Sequence, residues 1–97
     1  MPGQPYEIVF SRRAERELRT LAQGDRKAAK RIVAAIAKLA ADPRPSGVKK
    51  LRGSEDGDFY RIAVGVYRVV YAIEDARVLI EVLRVGHRRE VYELFFR

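Results

Sequence analysis

The spacing of apolar residues switches along this chain from alternation to helical periodicity and back, and each switch marks an element. Tyr6 to Phe10 combines aromatic and β-branched residues, as a short strand does, and Ser11 directly after it is placed to cap a helix. Ala14, Leu18 and Leu21 follow at four- and three-residue spacing, one stripe that predicts a helix from about Arg12 to Ala22, stopped by Gly24. Asp25 is placed to cap a second helix, whose Ala29, Ile32, Val33, Ile36, Leu39 and Ala40 form a core face and which ends ahead of Asp42-Pro43. So short a link pairs the two helices as an antiparallel hairpin.

From Asp42 to Asp58 the pattern dissolves into Pro, Gly, Ser and charge around Lys49-Lys50-Leu51-Arg52-Gly53, which predicts an exposed loop. Three β-rich runs come next, Phe59 to Val64, Tyr67 to Ile73 and Val78 to Val85, separated by Gly65-Val66 and by Glu74 to Arg77, the pattern of an antiparallel meander. Arg88 to Arg97 reads as a short helix that docks Val91, Leu94 and Phe95 on the core and leaves Phe96 for solvent or a partner. With no internal repeat and no low-complexity tract, the expected fold is α+β in a single domain, 1–97. It consists of an N-terminal strand, an antiparallel helical hairpin, a three-stranded antiparallel meander forming one sheet with helices on one face, and a short C-terminal helix.

A two-residue turn at Gly65-Val66 pairs Val64 with Tyr67, Ile62 with Val69 and Tyr60 with Tyr71, one apolar face. The opposite face then carries Arg61 across from Val70 and Ala63 across from Arg68, which sets the two arginines on a diagonal about 7 to 8 Å apart. Closing the next hairpin at Ile73 and Val78 pairs Tyr71 with Ile80 and Val69 with Val82, extends the apolar face and adds Glu81 to the polar one. Continued alternation puts Leu83, Val85 and His87 on the arginine side, so that His87, followed by Arg88, Arg89 and Tyr92, rims the arginine surface.

Charge adds a class of partner. Twenty Lys plus Arg against thirteen Asp plus Glu give a formal charge of +7 and a pI near 10.1, which favours polyanions, nucleic acid first, or an acidic protein, although many soluble proteins are as basic and bind neither. Arg26, Lys27, Lys30, Arg31 and Lys38 form a basic face on the second helix, for which a solvated surface accounts as well as an RNA or partner surface does. The chain has no cysteine, hence no disulfide framework and no thiolate metal site, which suits a reducing cytoplasm. Its opening lacks the basic start and apolar stretch of a signal peptide, and no run is long enough to cross a bilayer, so a cytoplasmic protein without a membrane role is expected.

Cutting RNA through its own 2′-hydroxyl requires stabilisation of a phosphorane-like charge and proton transfers at the attacking and leaving oxygens. Guanidinium forks suit the first need, and a histidine exchanges protons near neutrality. One histidine cannot fill both proton roles, so Tyr92, Glu81, Glu90 or a group on a larger partner has to share them. Against this stand plainer readings: Arg61 and Arg68 on an exposed strand face paired to Glu81, and His87 as an ordinary surface residue. Metal binding lacks further ligands, and Ser11, Ser46 and Ser54 show no nucleophile motif.

The residues Lys50-Leu51-Arg52-Gly53, Tyr60-Arg61-Ile62, Tyr67-Arg68-Val69-Val70-Tyr71 and Arg84-Val85-Gly86-His87-Arg88-Arg89-Glu90-Val91-Tyr92 resemble, in order and spacing, the RelE/ParE toxin superfamily, and the basic helical hairpin upstream is in its family place. The closer likeness is to RelE, which implies a toxin of a type II toxin–antitoxin system: a metal-independent endoribonuclease, or mRNA interferase, without cofactor. Such toxins bind the ribosomal decoding site, cut messenger RNA by 2′-hydroxyl attack to leave a cyclic phosphate, and so inhibit translation. By position, the resemblance assigns Arg68 to the scissile phosphate, Arg88 to transition-state charge and Tyr92 to the reacting nucleotide. Arg61 replaces a strand lysine and keeps its charge. Ala63 stands where RelE has a lysine proposed to help activate the 2′-hydroxyl, which leaves the general base open, and His87, placed like the histidine of YoeB-like relatives, is the candidate general acid.

Lys27, Lys30, Arg31, Lys49, Lys50, Arg52 and Arg89 are the residues expected to hold ribosomal RNA. The expected partners are the ribosome, messenger RNA and a cognate acidic antitoxin in a heteromeric complex. The alternatives are a ParE-like inhibitor of DNA gyrase without nuclease activity and a non-toxic RNA- or protein-binding module.

Overall fold

The computed structural model describes the backbone of residues 3–54 and 57–95 and the side chains of those residues except 52–54, 57 and 92–95. Strand β1 (Glu7–Phe10) leads through Ser11 into α1 (Arg12–Gly24), and α2 (Arg26–Leu39) follows. The Ser11 hydroxyl accepts the Ala14 N–H at 3.0 Å and donates to the Leu83 carbonyl at 3.0 Å, so one side chain both caps α1 and ties it to a strand far along the chain. Asp25 serves both helices: its N–H donates to the Leu21 carbonyl at 2.7 Å and its carboxylate accepts the Ala28 N–H at 3.1 Å. Ala14, Ile32, Ile36 and Leu39 are buried as the apolar stripes require. Val33 is not on the core face as expected but 48% exposed, because at about 100° per residue it lies one step off the Ile32–Ile36–Leu39 line.

The remaining elements are β2 (Lys49–Ser54), β3 (Gly57–Val64), β4 (Tyr67–Glu74), β5 (Leu79–His87) and α3 (Arg88–Phe95). They form a five-stranded sheet in the order β1-β5-β4-β3-β2, with β1 parallel to β5 and the other pairs antiparallel. The expected α+β architecture holds, with one strand more than expected. The segment read as an exposed loop contains β2, which pairs Lys49 with Arg61 and Lys50 with Tyr60 and, past a bulge, Arg52 with Phe59. An edge strand tolerates such charge because one flank has no neighbouring strand, and its composition therefore hid it.

The β3–β4 register is the one the Gly65-Val66 turn requires, Gly65 taking a φ of +61°. The β4–β5 connection runs through a 3₁₀ turn, Asp75–Arg77, and pairs Ile73 with Ile80 and Tyr71 with Val82, two residues from the expected register. A slip of two preserves the faces; the irregularity that follows does not. An unpaired Leu83 shifts the ladder by one, so that Val70 pairs with Arg84, Val69 with Val85, Arg68 with Gly86 and Tyr67 with His87. Val85 and His87 therefore turn to the side of Tyr67 and Val69, and Arg84 and Gly86 to the side of Arg68, the reverse of uninterrupted alternation.

Helix α3 starts directly at the end of β5, where the Arg88 N–H donates to the Val66 carbonyl at 2.8 Å. A Cβ on Gly86 would come within 3.1 Å of Cγ2 of the buried Val91, so α3 packs on the face that Gly86 shares with Arg68. Helices thus flank both faces of the sheet rather than one. The docking expected of Leu94, Phe95 and Phe96 lies outside the described residues. Among the described residues no helix is long and apolar enough to cross a membrane.

Away from that end, the loop before β2 is held by Arg44, whose guanidinium donates to the Tyr60 hydroxyl at 2.8 Å and pairs with Asp75 at 2.9 Å, while Tyr6 donates to Asp75 at 2.6 Å. The Arg44 hydrogen bonds first, and that of Tyr6 second, hold the Asp75 carboxyl below its ordinary range. A depressed folded-state pKa stabilises above the unfolded value and loses that stabilisation as pH falls through the folded one. Asp75→Asn is therefore expected to lower the urea midpoint at neutral pH, with the gap to the parent closing as the solution is acidified below about pH 4. A gap independent of pH would remove the electrostatic account.

Candidate functional site

The ladder sets charged residues in rows across the sheet face opposite the helical hairpin. Lys49, Arg61, Val70 and Arg84 make one row from β2 to β5, and Ala63, Arg68 and Gly86 the next. The Arg68 guanidinium pKa is lowered from its ordinary value, by burial first and then by the charges of Arg61 and Arg88, so both of those cations lie within electrostatic reach of Arg68. Arginine stays charged regardless. Nη1 of Arg68 donates to the Gly65 carbonyl at 3.0 Å and the Tyr67 carbonyl at 2.9 Å, which anchors one edge of the guanidinium and leaves the other donors to an incoming anion. Among the described residues Glu81 makes no ion pair with any of them. Guanidinium groups gathered in this way have the chemistry to engage phosphate oxygens.

His87 is at the end of β5 beside Arg88, but not on the arginine face, where alternation had placed it: the shift at Leu83 sets it across from Tyr67, whose ring it meets edge-on at 6.2 Å. Its Nδ1 accepts the Arg89 N–H at 3.3 Å, which leaves Nε2 as the ring nitrogen open to a further partner. Glu90 brings a carboxylate oxygen within 3.6 Å of where a Gly86 Cβ would stand. Of the carboxylates considered as proton acceptors, it is the one set beside the Arg68 row. Tyr92 lies in α3, and its side chain is outside the described residues.

The residues expected to hold ribosomal RNA divide. Lys49 faces with Arg61, whereas Lys50 pairs with Tyr60 on the other face and reaches Asp58 at 3.6 Å, so the two lysines do not form one surface. Lys27, Lys30, Arg31 and Arg89 are exposed, and the Arg31 guanidinium lies 3.3 Å from where a Gly65 Cβ would stand, which joins the basic face of α2 to the turn that anchors Arg68. The Arg52 side chain is outside the described residues.

Sequence reasoning missed the pair beneath this end of the sheet. Glu17 of α1 accepts from Arg84 at 3.0 Å and from the Val85 N–H at 3.0 Å, with Arg84 only 7% exposed. The single signal available was an arginine inside the apolar run Val82-Leu83-Arg84-Val85, with nothing to name its partner.

Residues 8–92 match the model of a protein family described as the ParE toxin of type II toxin–antitoxin systems. The chain belongs to the RelE/ParE toxin superfamily. It is 34% identical over 93 residues to toxin RelG of Mycobacterium tuberculosis, spanning 91% of this chain and 97% of RelG. RelE in the archaeal RelE–RelB complex of Pyrococcus horikoshii superimposes with a TM-score of 0.76 at 26% identity, over 87% of this chain and 96% of that one. The isolated RelE toxin of E. coli gives 0.70 at 31% identity, over 92% and 93%. As a member of this superfamily the chain is a toxin of a type II toxin–antitoxin system.

Proposed function

We propose that this toxin, acting as a single domain over 1–97, is a ribosome-dependent endoribonuclease that cuts messenger RNA in the cytoplasm and so inhibits translation. The observation that carries the reading is Arg68, on one sheet face with Arg61 and within reach of the charge of Arg88, its guanidinium held through Nη1 by two backbone carbonyls. A 2′-oxygen attacks the adjacent phosphorus as its proton passes to a base, and the bond to the 5′-oxygen breaks, leaving a 2′,3′-cyclic phosphate and a 5′-hydroxyl. Arg68 binds the scissile phosphate and, with Arg88 and Arg61, stabilises the charge that grows on its oxygens. At the rim between the two faces the His87 imidazolium supplies the proton to the 5′-oxygen through Nε2, its Nδ1 giving up the bond from the Arg89 N–H, and the 2′-proton passes to a base other than position 63, where Ala63 has none to offer. Tyr92 packs on the reacting nucleotide. No metal or cofactor is required by these steps.

Ribosomal RNA is held by Lys27, Lys30, Arg31, Lys49, Arg52 and Arg89, with Lys50 adding its charge from the other face of β2. RelE is bound to RelB in the complexes of P. horikoshii and E. coli, and a cognate acidic antitoxin is the corresponding partner here. Induction of the toxin with mapping of new RNA 5′ ends is the test: cuts inside translated codons that vanish when translation is blocked are expected. Positioned proton transfer contributes about 10² to 10⁴ in rate, so His87→Gln is expected to slow single-turnover cleavage on programmed ribosomes by roughly a hundredfold or more. A rate within a few-fold of the parent would remove His87 from the acid role.

The family model matched over 8–92 is that of ParE, which favours a second reading, inhibition of DNA gyrase without RNA cleavage. Gyrase-dependent DNA breaks with intact messages would decide for it.

A further inference from the structure

At the rim of the sheet, α1 and the end of β5 enclose a groove of about 720 Å³ lined by Arg13, Arg16, Glu17, Tyr67, His87 and, from the arginine side, Glu90 among others. It exists because β1 stops at Phe10, opposite Val82, so that β5 from Arg84 onward has α1 rather than a strand along its flank. Two cations on one wall, Arg13 and Arg16, are exposed one helical turn before Glu17 and Thr20. The carboxylate nearest Arg13, that of Glu17 at 3.9 Å, is already engaged by Arg84 at 3.0 Å and by the Val85 N–H. Among the described residues no carboxylate lies within 4.0 Å of the Arg16 guanidinium. The floor is apolar and aromatic, from Leu21, Val85 and Tyr67.

We infer that this groove binds single-stranded RNA, namely the nucleotide on the 3′ side of the cut, with Arg13 and Arg16 on its phosphate and its base against Tyr67. The inference rests on the nuclease reading at one point. If Nε2 of His87 protonates the departing 5′-oxygen, the nucleotide carrying that oxygen must leave on the side to which the Leu83 shift has turned His87, and that side is this groove. A cationic wall above an aromatic floor is the arrangement that holds an unpaired strand irrespective of sequence. An acidic peptide would find the same cations, but the His87 wall and the continuity with the arginine face through Glu90 favour RNA.

The probe is a 2′-O-methyl RNA tetranucleotide, which cannot be cut, titrated into the full chain with the His87 ring followed by NMR. The His87 signals are expected to shift on binding, with affinity falling about tenfold or more in Arg13→Glu/Arg16→Glu. The slope of log affinity against log salt should fall by roughly 0.7 for each phosphate that is no longer neutralised. Arg77→Glu, an equal charge change per site on the far side of the molecule, controls for net charge, and matching spectra of the variants control for folding. Unchanged RNA affinity in the double variant, or loss of affinity for an acidic peptide alone, would overturn the inference. Intact RNA binding in the groove together with absent cleavage on ribosomes would instead count against the nuclease reading and leave the groove standing.

Discussion

Arg68→Ala is expected to slow messenger cleavage by about 10² to 10³ at saturating enzyme while leaving ribosome binding nearly unchanged. The reason is geometric. Two backbone carbonyls already hold one edge of this guanidinium, so in the proposed mechanism it meets the developing phosphorane charge without having to reorganise, whereas the ribosome affinity proposed for the exposed cations of α2 does not depend on it. Arg88→Ala is expected to behave alike, since its charge reaches Arg68. Arg68→Lys should recover only part of the rate, because an ammonium cannot hold both carbonyls and fork onto a phosphate. Single-turnover cleavage on programmed ribosomes, with binding measured in parallel and folding checked by thermal unfolding, reads all three. A near-parental rate for Arg68→Ala would remove the phosphate assignment, and a loss confined to ribosome affinity would make the residue a docking group.

The largest effect on stability should come from Glu17→Ala. Removing Glu17 leaves the buried Arg84 guanidinium without compensation and the Val85 N–H without its acceptor, a cost of about 3 kcal/mol, the low end for a buried pair because the carboxylate is part-exposed. In a chain of 97 residues that corresponds to a drop of roughly 12 °C or more in Tm. Glu17→Ala/Arg84→Met, which also removes the stranded charge, should recover much of it. Equal losses in the single and double variants would show that packing of α1, not charge, sets the cost. Because Ser11 holds the Leu83 carbonyl and Glu17 holds Arg84 and the Val85 N–H, the single variant should also change the His87 ring environment, which NMR can follow separately from Tm.

What the chain's own pattern determined was everything set by neighbours a few residues apart. Helical spacing and the oxygens of Ser11 and Asp25 define α1 and α2, and the two-residue turn with Gly65 at its head dictates the β3–β4 register. With that register comes the placing of Arg61 and Arg68 on one face, since the period of a strand is two. Only the tertiary structure decided the rest. Strand β2 forms because the free edge of β3 accepts its backbone, a gain invisible in a segment rich in lysine, arginine and glycine. Helix α3 crosses to the second face because Gly86 leaves room there for Val91. Above all, the side on which His87 stands depends on a single unpaired residue, Leu83, whose carbonyl is held by the cap of α1 and whose two successors are held by Glu17, about 70 positions away in the chain. Alternation propagates along a strand until one extra residue reverses it, and that residue is chosen by long-range hydrogen bonds that local composition does not encode.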